Sequence, residues 1–330
     1  MNLVPFPARQ PVRQPWPHEK LVRERALALS NALDLSTQKN YGSACNSYLS
    51  FIRDHDLPID PTADTLSFYV VYMCHHIGPR SVATYLSGIV SQLQPYYPGV
   101  RDARHSRIVK RTLKGCHKMR AKPITRKRAL TLSEVNMILS HFRGSTSHDD
   151  LLFVSMFLSG FFALLRLGEI TFPDDLTIRD WRKVVRRSSV QLHPNYYEFL
   201  LPAHKADGLF EGNRVIVSGE QFQCPSAPHF RSYLQSRDLH FPLASPLWLT
   251  STGLVPTRSF FLTRLRHFFP SDVAGQSLRA GGATMLAEKG VAPHIIQAAG
   301  RWSSDTFRIY VRKQPFLLQG LLFADLSHPR

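Results

Sequence analysis

Apolar side chains recur every three or four residues along the N-terminal third of the chain. The stripes begin, in order, at Ser36, Asp64, Arg80 and Asp102. This spacing places the apolar side chains on one face of a helix, where they pack against a core. The pattern therefore predicts an all-helical domain over residues 19–120. Prolines interrupt residues 1–18, which we expect to form a flexible arm.

The pattern changes after residue 120, which indicates a domain boundary. Residues 121–128, AKPITRKR, are basic, contain a proline and lack an apolar period, as is typical of a linker. Thr131 and Glu134 then form the capping signature of a new helix. Further along, three β-branched or aromatic runs are separated by turn residues, which predicts three antiparallel strands. The runs are Val184–Gln191, Tyr196–Leu201 and Val215–Val217.

Helical spacing accounts for most of the remaining C-terminal sequence. An apolar helix is predicted from Asp149 to Arg166. Later helices are predicted over Pro228–Arg237, Thr257–Phe269, Ser277–Lys289 and Pro293–Ala299. The expected fold class is therefore mostly α with two domains. An all-α domain precedes an α+β domain over residues 129–330, which contains a small antiparallel sheet.

Composition limits the classes of partner. The chain carries 41 Lys and Arg against 24 Asp and Glu, a formal net charge of +17. A folded protein this basic typically binds nucleic acid or an anionic membrane. No apolar run approaches the roughly 20 residues of a membrane span, so we expect no membrane partner.

Cysteine and histidine usage gives two further expectations. The four cysteines form no Cys-x-x-Cys pair, which predicts reduced thiols in an intracellular compartment. The pair His75–His76 and the single residues His193 and His204 lack the spacing of zinc ligands. We therefore predict no metal site.

The most basic part of the chain runs from residue 101 to residue 128, with Asp102 as its one acidic residue. A helix predicted over Asp102–Arg120 places five cations on one face: Arg104, Arg107, Arg111, Lys114 and Lys118. Its opposite side is expected to face a core through Ile108, Val109, Cys116 and Met119. Like charges on one stripe repel each other, so a polyanion complements them better than water alone. We predict a DNA-binding face that also includes Arg126, Lys127 and Arg128.

Two arginines, Arg166 and Arg279, lie at positions that are typical of anion-binding sites. Arg166 ends an apolar helix, so we expect Glu169, one turn later, to hold its guanidinium. That pair is either an ordinary structural ion pair or part of a ligand site. Arg279 lies in the predicted first turn of a helix, where backbone N–H groups and the helix dipole favour an anion. We expect Gly281 and Gly282, which follow it, to let the backbone approach a phosphate.

Together with the sequence around them, these residues resemble the tyrosine recombinases, the phage-integrase-type family. The motifs are LLRLGEI at residues 164–170, LPAHKAD at 201–207, GQSLRAGGAT at 275–284 and GRWSS at 300–304, followed by Tyr310. The C-terminal run is most similar to the eukaryotic branch that includes fungal Crypton mobile elements. The resemblance covers residues 20–320. It implies a helical core-binding domain followed by a tyrosine-recombinase catalytic domain.

The resemblance also implies a reaction that needs no metal, ATP or other cofactor. Tyr310 would attack the phosphorus of a DNA backbone ester and become a 3′-phosphotyrosine. Lys205, near the turn of a predicted hairpin, would protonate the 5′ oxygen that leaves. Trp302 would donate a hydrogen bond to the phosphate through its indole N–H. The 3′-phosphotyrosine ester keeps the energy of the DNA ester bond that was broken. The cut strand can therefore be joined to another DNA end without a further energy source.

The two arginines and their neighbours take their roles from the same resemblance. Arg166 and Arg279 would hold the charge on the non-bridging oxygens, and Glu169 would support Arg166. Gln276 stands where the family usually has histidine. Glutamine binds a phosphate oxygen but cannot carry a proton near pH 7. Three activities therefore stay open: a recombinase, a catalytically silent DNA-binding protein derived from one, and a type IB topoisomerase-like enzyme.

The expected partner is double-stranded DNA, held between the two domains. The resemblance implies a homo-tetramer on DNA and a monomer or weak oligomer in its absence. The apolar tail, residues 315–325, would pack on its own domain or on a neighbouring protomer. Nuclear localisation is expected if the source is eukaryotic, with Arg126–Arg128 as a weak import signal.

Overall fold

The computed structural model describes residues 13–123, 126–203 and 211–302. The chain forms two compact units that divide between residues 124 and 125, within the segment that the sequence predicts to be a linker. We call them the N-terminal unit and the C-terminal unit. Most of the predicted arm, residues 1–12, and the predicted tail, residues 315–325, lie outside the described residues.

The N-terminal unit contains helices and no strands among its described residues. The helices are α1 (His18–Ser30), α2 (Leu35–Asp54), α3 (Ala63–His76), α4 (Pro79–Leu93), α5 (Val100–His105) and α6 (Arg107–Arg120). Local sequence explains two of the starts. The Thr62 hydroxyl accepts the backbone N–H of Thr65 at the beginning of α3. Pro79, whose fixed φ suits a first helical turn, begins α4.

The core of the N-terminal unit contains two fully buried tyrosines. Tyr48 and Tyr69 meet edge to face, with ring centroids 5.4 Å apart. Tyr48 donates to the Thr65 hydroxyl at 3.1 Å, and Tyr69 donates to the Ser47 hydroxyl at 3.0 Å. Burial raises the pKa of both phenols to about 12. Both tyrosines therefore stay neutral near pH 7, and they stabilise the core through their packing and hydrogen bonds.

The basic segment predicted as one helix is two helices. α5 ends at His105, and the Ser106 hydroxyl then caps α6 by accepting the N–H of Val109 at 3.4 Å. The break removes Arg104 from the row of cations on α6. Its guanidinium donates to the Ala83 carbonyl at 3.3 Å, and burial lowers its pKa. The prediction that Arg104 lies on the same helix as the other four cations is wrong, and its role in DNA binding stays a prediction.

α6 has a charged face and a buried face. Four of the predicted cations are exposed on it: Arg107, Arg111, Lys114 and Lys118. Val109 and Cys116 are buried, and Leu113 packs against the same core. Val109, Leu113 and Cys116 are spaced by four and three residues and so form one face of α6. Ile108 and Met119 lie beside that face. They are 45% and 77% exposed, so their predicted burial is wrong.

The C-terminal unit combines helices with a small sheet. Its described helices are α7 (Leu132–His141), α8 (His148–Phe162), α9 (Leu167–Ile170), α10 (Ser226–His240), α11 (Arg258–Arg266), α12 (Gly275–Glu288) and α13 (Pro293–Ala299). The strands β1 (Gln191–Leu192), β2 (Tyr197–Leu201) and β3 (Asn213–Val217) form an antiparallel sheet in the order β1-β2-β3. This mostly helical architecture with a three-stranded antiparallel sheet confirms the predicted fold class. None of the described helices is both long and apolar enough to cross a membrane.

The first predicted strand is only partly correct. Gln191 pairs with β2, but the residues before it bond elsewhere. The Val185 carbonyl accepts the N–H of Leu247 at 2.8 Å, and the N–H of Arg187 donates to the Ser245 carbonyl at 2.8 Å. An apolar run identifies an extended, half-buried segment, but the choice of its partner depends on tertiary packing.

Part of the predicted linker belongs to the C-terminal unit. Arg128 forms ion pairs with Glu134 at 2.7 Å and with Asp272 at 2.9 Å. The hydrogen bond to Glu134 is the main cause that raises the pKa of Arg128. Lys127 donates to a backbone carbonyl beside Asp272 at 2.6 Å, whereas Arg126 is exposed. Two carboxylates thus pair with Arg128, and its place on the DNA-binding face stays a prediction.

α8 is the central helix of the C-terminal unit. Every residue from Leu152 to Phe161 is buried, and α10 and α12 pack against it. A helix that is apolar on all sides must be covered on all sides. The position of α8 is therefore fixed by its neighbours, and the turn that follows it is held inside the unit.

Gly281 and Gly282 let α12 lie directly against the end of α8. A Cβ at Gly282 would meet the carbonyl oxygen of Phe161, and a Cβ at Gly281 would meet that of Leu130. The two glycines therefore serve helix packing, and their predicted role beside a phosphate is wrong. Their effect on the site is indirect, since the close contact brings Arg279 to the turn that follows α8.

We predict that Gly282→Ala destabilises the C-terminal unit by about 2 kcal/mol, the cost typical of overpacking a core. The added methyl group would force α12 away from α8. Thermal unfolding measures the change. The matched control is Gly168→Ala, because a Cβ at Gly168 meets open space; its melting temperature is expected to stay at or slightly above that of the wild type. Equal melting temperatures for Gly282→Ala and the wild type would contradict this packing.

Candidate active site

α8 is followed by a left-handed turn. Leu164 has a φ of +51° and is fully buried. The N–H of Leu165 donates to the Gly160 carbonyl at 3.1 Å, which closes a Schellman motif. Glycine is usual at the left-handed position, where a Cβ costs about 1–2 kcal/mol. Leu164 offsets this cost because its side chain packs in a small apolar cluster with Ala283 and Ile296.

α13 ends in the same kind of turn. Arg301 has a φ of +53°. Its N–H donates to the Ala298 carbonyl at 2.9 Å, and the N–H of Trp302 donates to the Gln297 carbonyl at 3.1 Å. These are the two bonds of a Schellman motif, and the left-handed residue is again not glycine. Each turn leaves the carbonyl-rich, negative end of a helix available to a cation.

Arg279 joins the two turns. Its Nη1 donates to the Leu164 carbonyl at 2.8 Å, and its Nη2 donates to the Gly300 carbonyl. Only 4% of the residue is exposed, and the centre of the Trp302 ring lies 4.3 Å from its guanidinium carbon. Arg279 occupies the second turn of α12, not the predicted first turn. The negative ends of α8 and α13 therefore surround it, in place of the predicted helix N-terminus.

Glu169 holds Arg166 through both its main chain and its side chain. Arg166 is the residue before α9, whereas α8 already ends at Phe162. The prediction that Arg166 ends the apolar helix is therefore wrong. One carboxylate oxygen of Glu169 accepts the Arg166 Nη1 at 2.8 Å, and the other accepts the Arg166 backbone N–H at 2.8 Å. The Glu169 side chain is buried, whereas 32% of the Arg166 side chain is exposed. The guanidinium is thus anchored on one side and accessible to a ligand on the other.

Arg301 links the Arg166–Glu169 pair to the turn after α8. Its guanidinium lies 3.4 Å from a carboxylate oxygen of Glu169. It also donates to the carbonyls of Ala163 and Leu164 at 3.3–3.4 Å. Burial lowers the pKa of Arg301, the positive charge of Arg166 adds to this effect, and Glu169 opposes it.

The network carries an excess of positive charge. Its described members include three guanidiniums and one carboxylate, that of Glu169, which pairs with Arg166 and Arg301. An anion complements such a group, and the planar fork of a guanidinium matches the paired oxygens of a phosphate. Within the described residues, no three His, Cys, Asp or Glu side chains form a group that could hold a metal ion.

The structure brings together four of the residues that the sequence assigns to one site: Arg166, Glu169, Arg279 and Trp302. Gln276 is exposed in the first turn of α12. Lys205, which the chain places between β2 and β3, and Tyr310 lie outside the described residues. Their roles, and the phosphate contact of Trp302, stay predictions.

Sequence reasoning missed Arg301. The only signal in the sequence is its place in the GRWSS motif, where it stands between Gly300 and Trp302. Arginines are mostly exposed, and nothing local indicates that this one is buried. Its burial depends on the position of the turn after α8, more than 130 residues earlier in the chain.

Comparison with known proteins identifies the fold. No protein-family model matches the sequence, and no curated protein matches it. One similar solved structure is the XerH site-specific recombinase bound to a palindromic difH substrate in a post-cleavage complex. Its TM-score is 0.59 at 14% identity, over 88% of this chain and 80% of that chain.

Two further structures have the same architecture. A lambda integrase dimer bound to a COC′ core site has a TM-score of 0.55 at 16% identity, over 89% of this chain and 94% of that chain. The Tn1549 transposon integrase, in complex with circular intermediate DNA, has a TM-score of 0.54 at 14% identity, over 86% and 99%. At such identities the similarity establishes the fold alone. The chain has the fold of the tyrosine recombinases and integrases.

Proposed function

We propose that this protein is a site-specific DNA recombinase or integrase. The observation that carries the proposal is the buried network of Arg166, Glu169, Arg279 and Arg301. It holds guanidiniums in fixed positions with one carboxylate among them, which suits a phosphate that gains charge in a transition state. The shared fold supports the proposal, since the XerH, lambda and Tn1549 proteins are recombinases or integrases bound to DNA.

In the proposed reaction the Tyr310 hydroxyl attacks the phosphorus of one DNA strand. A bond forms between the tyrosine oxygen and phosphorus, the phenol proton passes to a water molecule, and the bond from phosphorus to the 5′ oxygen breaks. Lys205 gives its proton to that 5′ oxygen, which leaves as a hydroxyl. The product is a 3′-phosphotyrosine. Attack by the 5′ hydroxyl of another strand reverses each of these steps, so rejoining uses no further energy source.

The arginines act on the phosphate itself in this proposal. Arg166, whose guanidinium is partly exposed, donates to one non-bridging oxygen, and Arg279 donates to the other. Preorganised donors of this kind typically contribute about 3–4 kcal/mol each to the transition state. Gln276 hydrogen-bonds a phosphate oxygen without moving a proton. The Trp302 indole N–H completes the set.

Double-stranded DNA is the proposed partner, held by both units, with a homo-tetramer as the assembly that exchanges strands. The exposed row on α6 supports DNA binding: Arg107, Arg111, Lys114 and Lys118. Such cations bind phosphates and orient the protein without reading the base sequence. A mobile element, similar to the Crypton-type branch, is the proposed genetic setting. Intracellular location, nuclear in a eukaryote, follows from this function.

The covalent intermediate tests the proposal. Wild-type protein is incubated with nicked duplexes from a genomic or element-terminal library, so that the short cleaved fragment diffuses away and the enzyme stays attached. A denaturation-resistant protein–DNA adduct is expected. Tyr310→Phe is expected to abolish it, because the phenol oxygen is the nucleophile. Tyr196→Phe removes a hydroxyl from the same unit and is expected to leave the adduct unchanged.

The other outcomes separate the alternatives. An adduct that survives Tyr310→Phe would contradict the assignment of the nucleophile. DNA binding without an adduct, together with an adduct in Gln276→His, would favour a catalytically silent DNA-binding protein. Relaxation of a supercoiled plasmid without recombinant products would favour a topoisomerase-like activity.

The α6 row makes a separate prediction about DNA affinity. Replacing Arg107, Arg111 and Lys114 with alanine is expected to flatten the plot of log affinity against log salt concentration. Each cation that neutralises a phosphate contributes about 0.9 to the slope. Fluorescence anisotropy over a series of salt concentrations measures it.

A variant with equal charge loss controls for net charge. Arg53, Arg80 and Arg143 are exposed and lie outside the α6 row, so replacing them with alanine is expected to leave the slope close to that of the wild type. Equal flattening in both triple variants, or none in the α6 variant, would remove α6 from the DNA interface.

A further inference from the structure

Arg301 costs the fold free energy in three ways. Its backbone occupies the left-handed region, which disfavours residues with a Cβ. Only 8% of its side chain is exposed, so a charged group has lost most of its water. Its Nε is buried and has no hydrogen-bond partner in the described structure. A side chain that meets all three costs is retained for something besides packing.

The contacts of Arg301 converge on the turn after α8 and on Glu169. It reaches the carbonyls of Ala163 and Leu164, and its own turn through the Ala299 carbonyl at 3.1 Å. The same guanidinium contacts a carboxylate oxygen of Glu169 at 3.4 Å. Arg301 therefore connects three separate pieces of chain: the turn after α8, the first turn of α9 and the turn after α13.

Glu169 is the link from Arg301 to the reactive region. Glu169 Oε2, the oxygen that contacts Arg301, also accepts the Arg166 backbone N–H. Glu169 Oε1 accepts the Arg166 Nη1. With Arg301 in place, the carboxylate is held from two sides and has one orientation. Without Arg301, the Arg166–Glu169 pair keeps its own two hydrogen bonds but loses its side-chain tie to the turns after α8 and α13. The Arg166 guanidinium would then be held less firmly in its direction.

We propose that Arg301 is a positioning residue, which fixes Glu169 and through it aims the Arg166 guanidinium at the scissile phosphate. The inference rests on the proposed recombinase function. Arg301 itself does not touch the DNA in this account. It also ties Arg166 to the segment that leads directly to Tyr310, because residue 303 follows the Arg301–Trp302 turn in the chain.

Arg301→Gly isolates the side chain from the backbone. Glycine adopts the left-handed conformation without a steric cost, so the turn itself is preserved and only the guanidinium is removed. Gln223→Gly is the matched control, since Gln223 has a φ of +55° in the same unit and is exposed. Arg301→Lys keeps the charge but offers three donors at one point in place of a planar fork.

The experiment measures single-turnover formation of the covalent adduct at saturating DNA, together with DNA affinity. Arg301→Gly is expected to slow cleavage about 10²-fold, the effect of a misplaced catalytic group, and to leave the Kd unchanged. Arg301→Lys is expected to fall between it and the wild type. Gln223→Gly is expected to cleave at the wild-type rate.

A double variant distinguishes positioning from a general structural role. If Arg301 acts through Glu169, the pair Arg301→Gly with Glu169→Gln is expected to cleave no more slowly than Glu169→Gln alone. Additive losses would overturn the inference. So would wild-type cleavage by Arg301→Gly, or a parallel loss of folding and DNA affinity in that variant. Absence of an adduct from the wild type would instead overturn the proposed function, and this inference with it.

Discussion

The Leu164 carbonyl is the point on which the candidate site depends. It accepts hydrogen bonds from two buried arginines, Arg279 and Arg301, which come from different parts of the chain. The carbonyl is available because the turn after α8 is left-handed, which leaves the end of the helix without its next turn. Loss of this turn would remove an acceptor from each of two buried guanidiniums, and breaking the contacts of a buried charge is strongly destabilising.

The surroundings supply the compensation that two buried cations need. The C-terminal ends of α8 and α13 both meet Arg279, and the negative end of a helix dipole stabilises a cation. Glu169 supplies the one full negative charge. The frame is rigid because α8 is buried along its length and because α12 lies against it through Gly282. A phosphate would thus meet donors whose positions are already set, which is the condition for effective electrostatic catalysis.

Periodicity and capping were sufficient to predict most of the elements. The stripe beginning at Arg80 corresponds to α4, and the capping signature of Thr131 and Glu134 is present at the start of α7. The start of α6 at Ser106 was harder to predict. A capping residue within a continuous helical period gives no clear sign that one helix ends and another begins there. The mostly helical fold with its small sheet follows from such local signals.

Tertiary contacts set the features that the sequence did not predict. Leu164 and Arg301 occupy positions where glycine is expected, so local rules give no reason to place left-handed turns there. Arg237 is likewise buried through contacts that local sequence does not indicate. Its guanidinium is fully buried and donates to the carbonyls of Phe241 and Pro246. The motif around Arg279 indicated a phosphate site, but the helix ends that surround this arginine became visible only in the folded chain.

The most direct measurement is cleavage of DNA that carries a neutral methylphosphonate at the scissile position, compared with the ordinary phosphodiester. The account holds that Arg166 accelerates cleavage by neutralising charge on the non-bridging oxygens. Arg166→Ala is therefore expected to be far slower than the wild type on the phosphodiester, and to lose much less on the methylphosphonate, where one of those charges is absent. An equal loss on both substrates would contradict the account.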